Sequence, residues 1–326
     1  MIANDPARCA ARPAFRIAVL DDWQHVALQL ADWSKVQARA EVVVFDRHLG
    51  EEEAAAALRD FDGLCLMRER MAMPRRLIEQ LPRLKLICFT GARHRTLDED
   101  AARERGIALR SAVGSDAGGS STTELAWGLI LSALRRIPQQ AEGMRAGGWQ
   151  TQCGSVLRGK TLGLVGLGKL GRQMVPVAQA FGMQVRAWSP NLTPEAAAEA
   201  GVQHASKEDL FAGSDIVSLH LVLGERSRGI VGRADLWRMQ PHALLVNTAR
   251  AGLVDQDALY EALVQGRIGG AALDVFNEEP LPPHDRFREL GNVLLTPHLG
   301  YATEEQMRGY QQNTVRNLLG YLAAPG

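Results

Sequence analysis

Short apolar runs alternate with longer amphipathic stretches from Phe15 onward. In the first part of the chain the apolar runs are, in order, Ile17–Leu20, Val42–Phe45, Leu64–Met67, Leu86–Phe89 and Ile107–Leu109. They are aliphatic or β-branched and are bounded by charged or turn-forming residues, which is typical of strands buried on both faces of a parallel sheet. Between them, Glu51–Arg59 and Pro74–Gln80 are helical in pattern. The alternation predicts a first α/β unit.

The stretch Ser120–Arg145 has a different pattern. Its leucines recur at roughly helical spacing, and Gly147-Gly148 would end a helix. Ser121 and Glu124 have the spacing of a capping box, in which the two side chains satisfy free backbone N–H groups at a helix start. The pattern predicts one long helix, and its place between two α/β series indicates a crossover between two domains.

A second α/β series runs from Lys160 to His298. Its predicted strands are Leu162–Val165, Gln184–Trp188, Ile216–Leu219, Leu244–Asn247, Ala271–Val275 and Val293–Thr296. The last helical stretch, Glu304–Leu322, has no strand of its own, so we expect it to pack on the first domain. A domain over 121–299 would then be inserted into a domain made of 1–120 and 300–326.

A glycine-rich turn lies at the start of this second series. Gly166–Gly171 reads GLGKLG and matches G-x-G-x-x-G. In a chain with 32 glycines such a match can be a turn without a ligand, but here it follows a predicted strand and opens a helix, as in dinucleotide-binding βαβ units. Gly166 permits the tight turn, Gly168 lets the backbone approach a pyrophosphate, and Gly171 lets helix and strand pack closely. The helix start would bind the phosphates of a nicotinamide dinucleotide.

The residue that follows the next strand bears on the choice of cofactor. NAD enzymes usually place Asp or Glu there to bind the ribose hydroxyls, whereas this chain has Ser189. A serine hydroxyl can still bond the ribose, and the missing carboxylate removes repulsion against the 2′-phosphate of NADP. No arginine follows directly to bind that phosphate, so the sequence leaves both NAD and NADP open.

Three charged side chains follow successive strands of the second series. Arg250, Glu279 and His298 lie at or just beyond the carboxyl ends of these strands, where open α/β sheets bind ligands. An arginine can bind a carboxylate bidentately, and a histidine can exchange a proton near neutral pH while a carboxylate orients it. Each residue alone has a purely structural interpretation, but together, beside a cofactor turn, they favour reduction of a 2-keto acid.

The motifs resemble those of the D-isomer-specific 2-hydroxyacid dehydrogenases, which include phosphoglycerate and glycerate dehydrogenases. The matching segments are Leu162–Gly171, Asp215–His220, Val246–Arg250, Ala272–Phe276, Glu279-Pro280 and Thr296–Gly300. Weaker similarity extends over most of the chain from Phe15. The resemblance implies two Rossmann-like domains with doubly wound parallel sheets, the NAD(P) domain being inserted into a flavodoxin-like substrate domain. It also implies a homodimer formed through the cofactor domain.

The resemblance assigns roles to individual residues. Arg250 would bind the substrate, His298 would be the acid/base, and Glu279 its partner; formate dehydrogenases carry Gln in place of this glutamate. The implied cofactor contacts are Thr122, Gly166, Gly168, Lys169, Leu170, Gly171, Ser189, Thr248, Ala249, Asp274 and Gly300, with Asp274 at the nicotinamide end. The chain departs from the common pattern at Ala251 and Tyr301, each of which stands where a glycine is frequent.

The first domain is expected to contribute substrate contacts. In the family, backbone groups of the loop at Gly91 and Ala92 hold the substrate carboxylate. Arg68 or Arg70 would meet a second anionic group, such as a phosphate, or would be solvated charges at a strand end. Arg93 and Arg95 make the same loop unusually basic, and the sequence does not decide whether they contact the substrate.

Composition narrows the function classes. Lys plus Arg and Asp plus Glu balance at 37 each, which argues against a broad nucleic-acid or anionic-membrane surface. The four cysteines have no C-x-x-C spacing, so no metal site is expected. Met1–Pro13 has the composition of a loose tail, and no apolar run is long enough for a membrane span. We expect a soluble, cytoplasmic enzyme. The alternative is a nucleotide-sensing, dimeric transcriptional co-regulator on the same fold, since such proteins can keep the catalytic residues.

Overall fold

The computed structural model describes residues 15–114 and 120–324, so the predicted loose tail at Met1–Pro13 lies outside the described residues. The chain divides into two compact units. The first comprises Met1–Ser115 and Glu304–Gly326, and the second comprises Asp116–Thr303. Both contain a parallel sheet with helices, which confirms the predicted α/β class. No helix within the described ranges is both long and apolar enough to cross a bilayer.

The first unit has a five-stranded parallel sheet in the order β2-β1-β3-β4-β5. Its strands are β1 (Arg16–Val19), β2 (Glu41–Val44), β3 (Gly63–Leu66), β4 (Leu86–Thr90) and β5 (Ala108–Ala112). Its helices are α1 (Ser34–Gln37), α2 (Glu51–Ala57), α3 (Arg75–Glu79), α4 (Glu99–Glu104) and, from the far end of the chain, α12 (Glu304–Ala323). This is the flavodoxin-like strand order, which reverses between β1 and β3.

Each face of this sheet is covered by its own core. One core contains Leu64, Leu66 and Ile87 with the apolar faces of α2, α3 and α4. The other contains Ile17 and Cys65 and is covered in part by Val315 and Leu318 of α12. Burial on both faces explains why these strands are continuously apolar rather than alternating.

The second unit has a seven-stranded parallel sheet in the order β12-β11-β10-β9-β6-β7-β8. Its strands are β6 (Thr161–Val165), β7 (Gln184–Trp188), β8 (Gln203–His204), β9 (Ile216–Leu219), β10 (Leu244–Asn247), β11 (Gly270–Leu273) and β12 (Val293–Leu295). Its helices are α5 (Ser120–Arg135), α6 (Ile137–Arg145), α7 (Lys169–Ala180), α8 (Pro194–Glu199), α9 (Lys207–Gly213), α10 (Arg233–Arg238) and α11 (Gln256–Val264). The order reverses between β6 and β9, which makes the carboxyl ends of these two strands the ligand-binding edge.

The predicted single helix over Ser120–Arg145 is wrong, because the structure has two helices there. Arg136 adopts a left-handed φ of 51° and separates α5 from α6. Pro138 has no N–H group and cannot donate to the carbonyl of Leu134 four residues earlier. The backbone N–H of Ser155 donates to that carbonyl instead, at 2.9 Å. The proline therefore breaks the helix, and a returning segment satisfies the exposed carbonyl.

The predicted capping box at Ser121 is also wrong. Helix α5 already includes Ser120, so Ser121 lies within its first turn rather than at its cap. The hydroxyl of Ser121 donates to the carbonyl of Gly300 at 2.9 Å. The side chain of Ser121 therefore makes a tertiary hydrogen bond instead of the helix cap that the local pattern predicted.

Candidate active site

The glycine-rich turn joins the buried strand β6 to α7. Gly166 has a φ of 106°, and a Cβ atom there would lie 2.9 Å from the carbonyl carbon and oxygen of His220. A Cβ atom on Gly171 would lie 2.1 Å from the carbonyl oxygen of Gly166. Both positions therefore require glycine. A Cβ atom on Gly168 would meet nothing within 4 Å, so open space lies beside the backbone where α7 begins at Lys169.

Two buried polar atoms at the carboxyl edge of this sheet have no protein partner among the described residues. They are Nδ1 of His220, which follows β9, and Oγ1 of Thr248, which follows β10. The other ring nitrogen of His220, Nε2, is 2.9 Å from the hydroxyl of Ser218. Burial lowers the pKa of His220 to about 4, so the imidazole is neutral at physiological pH. Buried polar groups are normally paired, and a bound ligand would supply the missing partners here.

His298 and Glu279 form a close pair at the carboxyl edge of the same sheet. Nδ1 of His298 is 2.6 Å from Oε2 of Glu279, and both side chains are partly exposed. The backbone N–H of Phe276 donates to the other carboxylate oxygen, Oε1, at 2.9 Å. Burial by itself raises the pKa of Glu279, but the hydrogen bond from His298 and the charges of His298 and Arg250 outweigh it and hold this pKa below its ordinary value. Glu279 is therefore ionised at neutral pH and orients the imidazole.

Arg250 follows β10 and begins a short 3₁₀ turn over Ala251–Leu253. Asn247 holds the backbone in place, because its side-chain amide donates to the carbonyl of Arg250 at 2.9 Å. One guanidinium nitrogen of Arg250 donates to the carbonyl of Ala249 at 2.7 Å. The charge of Arg250 lowers the pKa of Glu279, so these two side chains lie within electrostatic reach of each other.

Asp274 braces the turn that carries His298. Its carboxylate accepts hydrogen bonds from the hydroxyl of Thr296 at 2.6 Å and from the backbone N–H groups of Leu299 at 2.7 Å and Gly300 at 2.9 Å. Burial raises the pKa of this carboxyl above its ordinary value, although these hydrogen bonds oppose the shift. The family resemblance assigned Asp274 to the nicotinamide end of the cofactor but gave no sign of its hydrogen bonds to this turn, which depend on the register of β11 against β12.

A sequence model of the D-isomer specific 2-hydroxyacid dehydrogenase NAD-binding domain matches residues 127–300 of this chain. The chain belongs to this family. The predicted family resemblance is thereby confirmed, and so is the prediction of an NAD-dependent oxidoreductase at the level of the family.

Named relatives of this dehydrogenase are similar over most of its length. Hydroxypyruvate reductase of Thermotoga maritima is 35% identical over 300 residues, which cover 90% of this chain and 94% of that protein. D-3-phosphoglycerate dehydrogenase of Methanocaldococcus jannaschii is 40% identical over 263 residues, or 80% of this chain. This chain spans only about half of that protein, 49% of its length. The relatives named here are enzymes, which gives no support to the alternative of a transcriptional co-regulator.

The solved structures include a close match. The crystal structure of phosphoglycerate oxidoreductase from Vibrio cholerae o395 has a TM-score of 0.88 and 36% sequence identity, and the match covers 94% of this dehydrogenase and 98% of that chain. The similarity covers both units, so it extends beyond the NAD-binding domain that the family model describes.

In the first unit of the dehydrogenase, the two arginines predicted as substrate contacts, Arg68 and Arg70, have different surroundings. Arg70 is buried, and its guanidinium donates to the carbonyl of Asp21 and to the side chain of Gln24 and stacks on the ring of Trp23, 4.4 Å from the centroid. Arg70 therefore ties the loop after β3 to the loop after β1. This arrangement favours a structural role for Arg70.

Arg68 is placed differently. Its backbone N–H donates to the hydroxyl of Thr90 at 2.7 Å, and its φ of 53° turns the chain sharply after β3. The guanidinium lies over Gly91, where a Cβ atom would be 2.1 Å from Nη1. Gly91 itself has a φ of 100°. The next residue, Ala92, is exposed, so the structure places Arg68 directly beside the predicted substrate loop.

The remaining basic residues of that loop also differ. Arg95 contacts Glu69, whose carboxylate accepts the backbone N–H of Arg95 at 3.3 Å. Arg93 is exposed. His94 is buried against Phe89 in an edge-to-face contact, and burial lowers the pKa of its imidazole. Arg95 thus links the loops after β3 and β4, while Arg93 is accessible to solvent.

Proposed function

We propose that this dehydrogenase interconverts a D-2-hydroxy acid and its 2-keto acid with NAD(H), using His298 as the acid/base. The observation that supports this most strongly is the 2.6 Å pair of His298 and Glu279, within electrostatic reach of Arg250. Arg250 binds the substrate carboxylate bidentately and polarises the neighbouring carbonyl. His298 gives its Nε2 proton to the carbonyl oxygen during reduction, and Glu279 stabilises the positive charge of the imidazolium beforehand.

The cofactor site fits a nicotinamide dinucleotide, which supplies the hydride when it is bound. The backbone of Gly168, Lys169 and Leu170 would bind the pyrophosphate where α7 begins. Thr248 and Ala249 follow β10, and Thr122, Asp274 and Gly300 are hydrogen-bonded or packed together at the neighbouring edge. We assign the nicotinamide end of the cofactor to this second group.

Initial rates with four keto acids test the proposed reaction. Glyoxylate, pyruvate, hydroxypyruvate and 3-phosphohydroxypyruvate should each be assayed with NADH and NADPH, and the chirality of the product determined. We expect reduction of at least one of them to the D-hydroxy acid. Product of the L configuration, or no turnover of any of the four, would contradict the assignment.

We further propose that the substrate carries a second anionic group and that Arg68 binds it, while the backbone of Gly91 and Ala92 binds the carboxylate. The support is the position of the guanidinium over Gly91. Arg68→Gln should raise KM for 3-phosphohydroxypyruvate roughly tenfold or more and leave KM for glyoxylate nearly unchanged, because a hydrogen-bonded charge contact contributes about 1.5–3 kcal/mol. Arg93→Gln, in the same loop, is the matched control. Equal effects of Arg68→Gln on the KM of both substrates would show that Arg68 does not bind the second anionic group.

Ser189 is expected to weaken the discrimination against NADP. Ser189→Asp should raise the NAD-over-NADP ratio of kcat/KM by about tenfold or more, because a carboxylate at the end of β7 repels the 2′-phosphate. Ser155→Asp, which adds the same charge at an exposed position in the same unit, should leave the ratio unchanged. If Ser189→Asp also leaves it unchanged, this position does not contact the ribose.

We also propose that the enzyme is a cytoplasmic homodimer that associates through the second unit. Helix α6 has no buried residue, and exposed apolar side chains recur in this helix and in the segment between it and β6, at Ile137, Met144, Trp149 and Val156. We infer that these side chains form part of an apolar surface patch, which is the kind of surface that marks protein interfaces. The free thiols of Cys65, Cys88 and Cys153 fit a reducing compartment. Light scattering at micromolar concentration should give twice the mass of the chain.

A further inference from the structure

We propose that Tyr301 is a positioning residue whose ring holds the imidazole of His298 in the orientation that exchanges a proton with the substrate. The inference rests on the role proposed above for His298. It concerns a residue at which this chain departs from the common family pattern, since a glycine at this position has no side chain to make the contact.

The two rings pack directly against each other. Their centroids are 5.3 Å apart and their planes meet at 76°, an edge-to-face arrangement. Tyr301 is only 9% exposed, so the ring is held in place rather than moving in solvent. Edge-to-face pairs at this distance are favourable because the positive edge of one ring meets the negative face of the other.

One hydrogen bond does not fix an imidazole ring. Glu279 holds Nδ1 of His298, but the ring can still tilt about that bond, because the χ2 torsion of histidine is broad. The tilt decides where Nε2 points, and proton transfer requires a donor within hydrogen-bond distance of the substrate oxygen. The ring of Tyr301 packs against the imidazole and restrains this tilt.

The backbone that carries Tyr301 is rigid on the side of His298. The N–H of Gly300 donates to Asp274 at 2.9 Å, and the carbonyl of Gly300 accepts the hydroxyls of Ser121 and Thr122 at 2.9 and 2.7 Å. His298, which lies two residues before Gly300, has a left-handed φ of 53°. His298 and Tyr301 therefore both belong to a turn that is anchored to α5 and β11. Because the backbone of both residues is held, the contact between their rings can determine the tilt of the imidazole.

Three substitutions test the ring. Tyr301→Ala should lower kcat for hydroxypyruvate reduction about tenfold, which is the upper part of the range for one aromatic pair. It should also increase the solvent isotope effect on kcat, because proton transfer becomes slower relative to the other steps. Tyr301→Phe keeps the ring and should retain activity and isotope effect. Tyr301→Leu keeps apolar bulk without the ring and should behave like the alanine variant, and it serves in place of that variant if the latter does not fold.

Controls separate positioning from general stability. Tyr260 makes a similar edge-to-face contact with Phe287, at 5.8 Å and 89°, away from the carboxyl edge of the sheet. Tyr260→Ala should lower Tm without changing the isotope effect. The Kd of NADH, measured by fluorescence titration, should be unchanged in the Tyr301 variants.

Failure of the positioning role of Tyr301 can be distinguished from failure of the role proposed for His298. If His298→Ala, assayed in parallel, retains turnover, the role proposed for His298 as the acid/base is wrong. If His298→Ala is inactive and Tyr301→Ala and Tyr301→Leu match the wild type, only this inference is overturned. A Tyr301→Phe variant as slow as the alanine variant, or a slow Tyr301→Ala with an unchanged isotope effect, would also overturn it.

Discussion

Replacing His298 by alanine should lower kcat about 10²–10⁴-fold, the usual contribution of general acid–base catalysis. The expected loss is large because the alanine variant cannot deliver a proton to the carbonyl oxygen as the hydride arrives. The measurement is kcat at neutral pH, together with the Kd of NADH. His242→Ala is the matched control, because His242 also pairs with a carboxylate, at 2.8 Å from Asp215, but is exposed and lies away from the carboxyl edge of the sheet. Near-full turnover of the His298 variant would mean that another group donates the proton.

Glu279→Gln should act through the same proton. The side chain keeps its size but loses the negative charge that stabilises the imidazolium, so the pH above which keto-acid reduction falls should move to lower pH. Combined with His298→Ala, the glutamine variant should cost little more than His298→Ala alone, because two residues that act as a unit are not additive. Additive effects of the two substitutions would show that Glu279 works independently of His298.

Arg250→Lys should lower kcat/KM roughly 10–100-fold and should raise KM as well as lower kcat. Lysine keeps the positive charge but loses the planar pair of donors that matches a carboxylate. A lysine also cannot place one donor on the carboxylate and another on the neighbouring carbonyl in the fixed geometry of a guanidinium. Steady-state kinetics with a saturating cofactor concentration give both constants.

An exposed arginine provides the comparison for Arg250. Arg238→Lys makes the same substitution on α10, where the exposed guanidinium donates to the carbonyl of Ala234, and should leave both constants unchanged. A loss confined to kcat in Arg250→Lys would indicate that the arginine acts only in the transition state. No loss at all would remove Arg250 from the substrate site.

Local sequence patterns were sufficient for most of the strands and for the cofactor turn, although the two-residue strand β8 was not predicted. Strands β7, β9 and β10 coincide with the predicted runs. Every residue of β9 and β10 is buried, and a strand buried on both faces is largely apolar, so it is visible without tertiary information. The turn at Gly166–Gly171 was equally visible, since two of its glycines are required by backbone contacts within about 3 Å. Both features are encoded within a few consecutive residues.

Patterns that depended on distant partners were wrong or incomplete. The helix break at Arg136 had a local signal in Pro138, but the partner of the exposed Leu134 carbonyl, the backbone N–H of Ser155, is visible only in the structure. The hydroxyl of Ser121 was predicted to cap a helix, but it donates to the carbonyl of Gly300, which is 179 residues away in the sequence. The choice between Arg68 and Arg70 depended on Trp23 and Asp21, which lie on another strand's loop.

The sequence by itself determined where the three candidate catalytic residues of this dehydrogenase lie: Arg250, Glu279 and His298 each follow a recognisable strand, and residue type alone limits what each can do. Only the tertiary structure decided how they are held. The 2.6 Å contact between His298 and Glu279, the brace from Asp274 and the ring of Tyr301 all arise from how β11, β12 and α5 meet. Their distances depend on the register of strands and the anchoring of a turn, and such long-range geometry leaves no periodic signal in the order of residues.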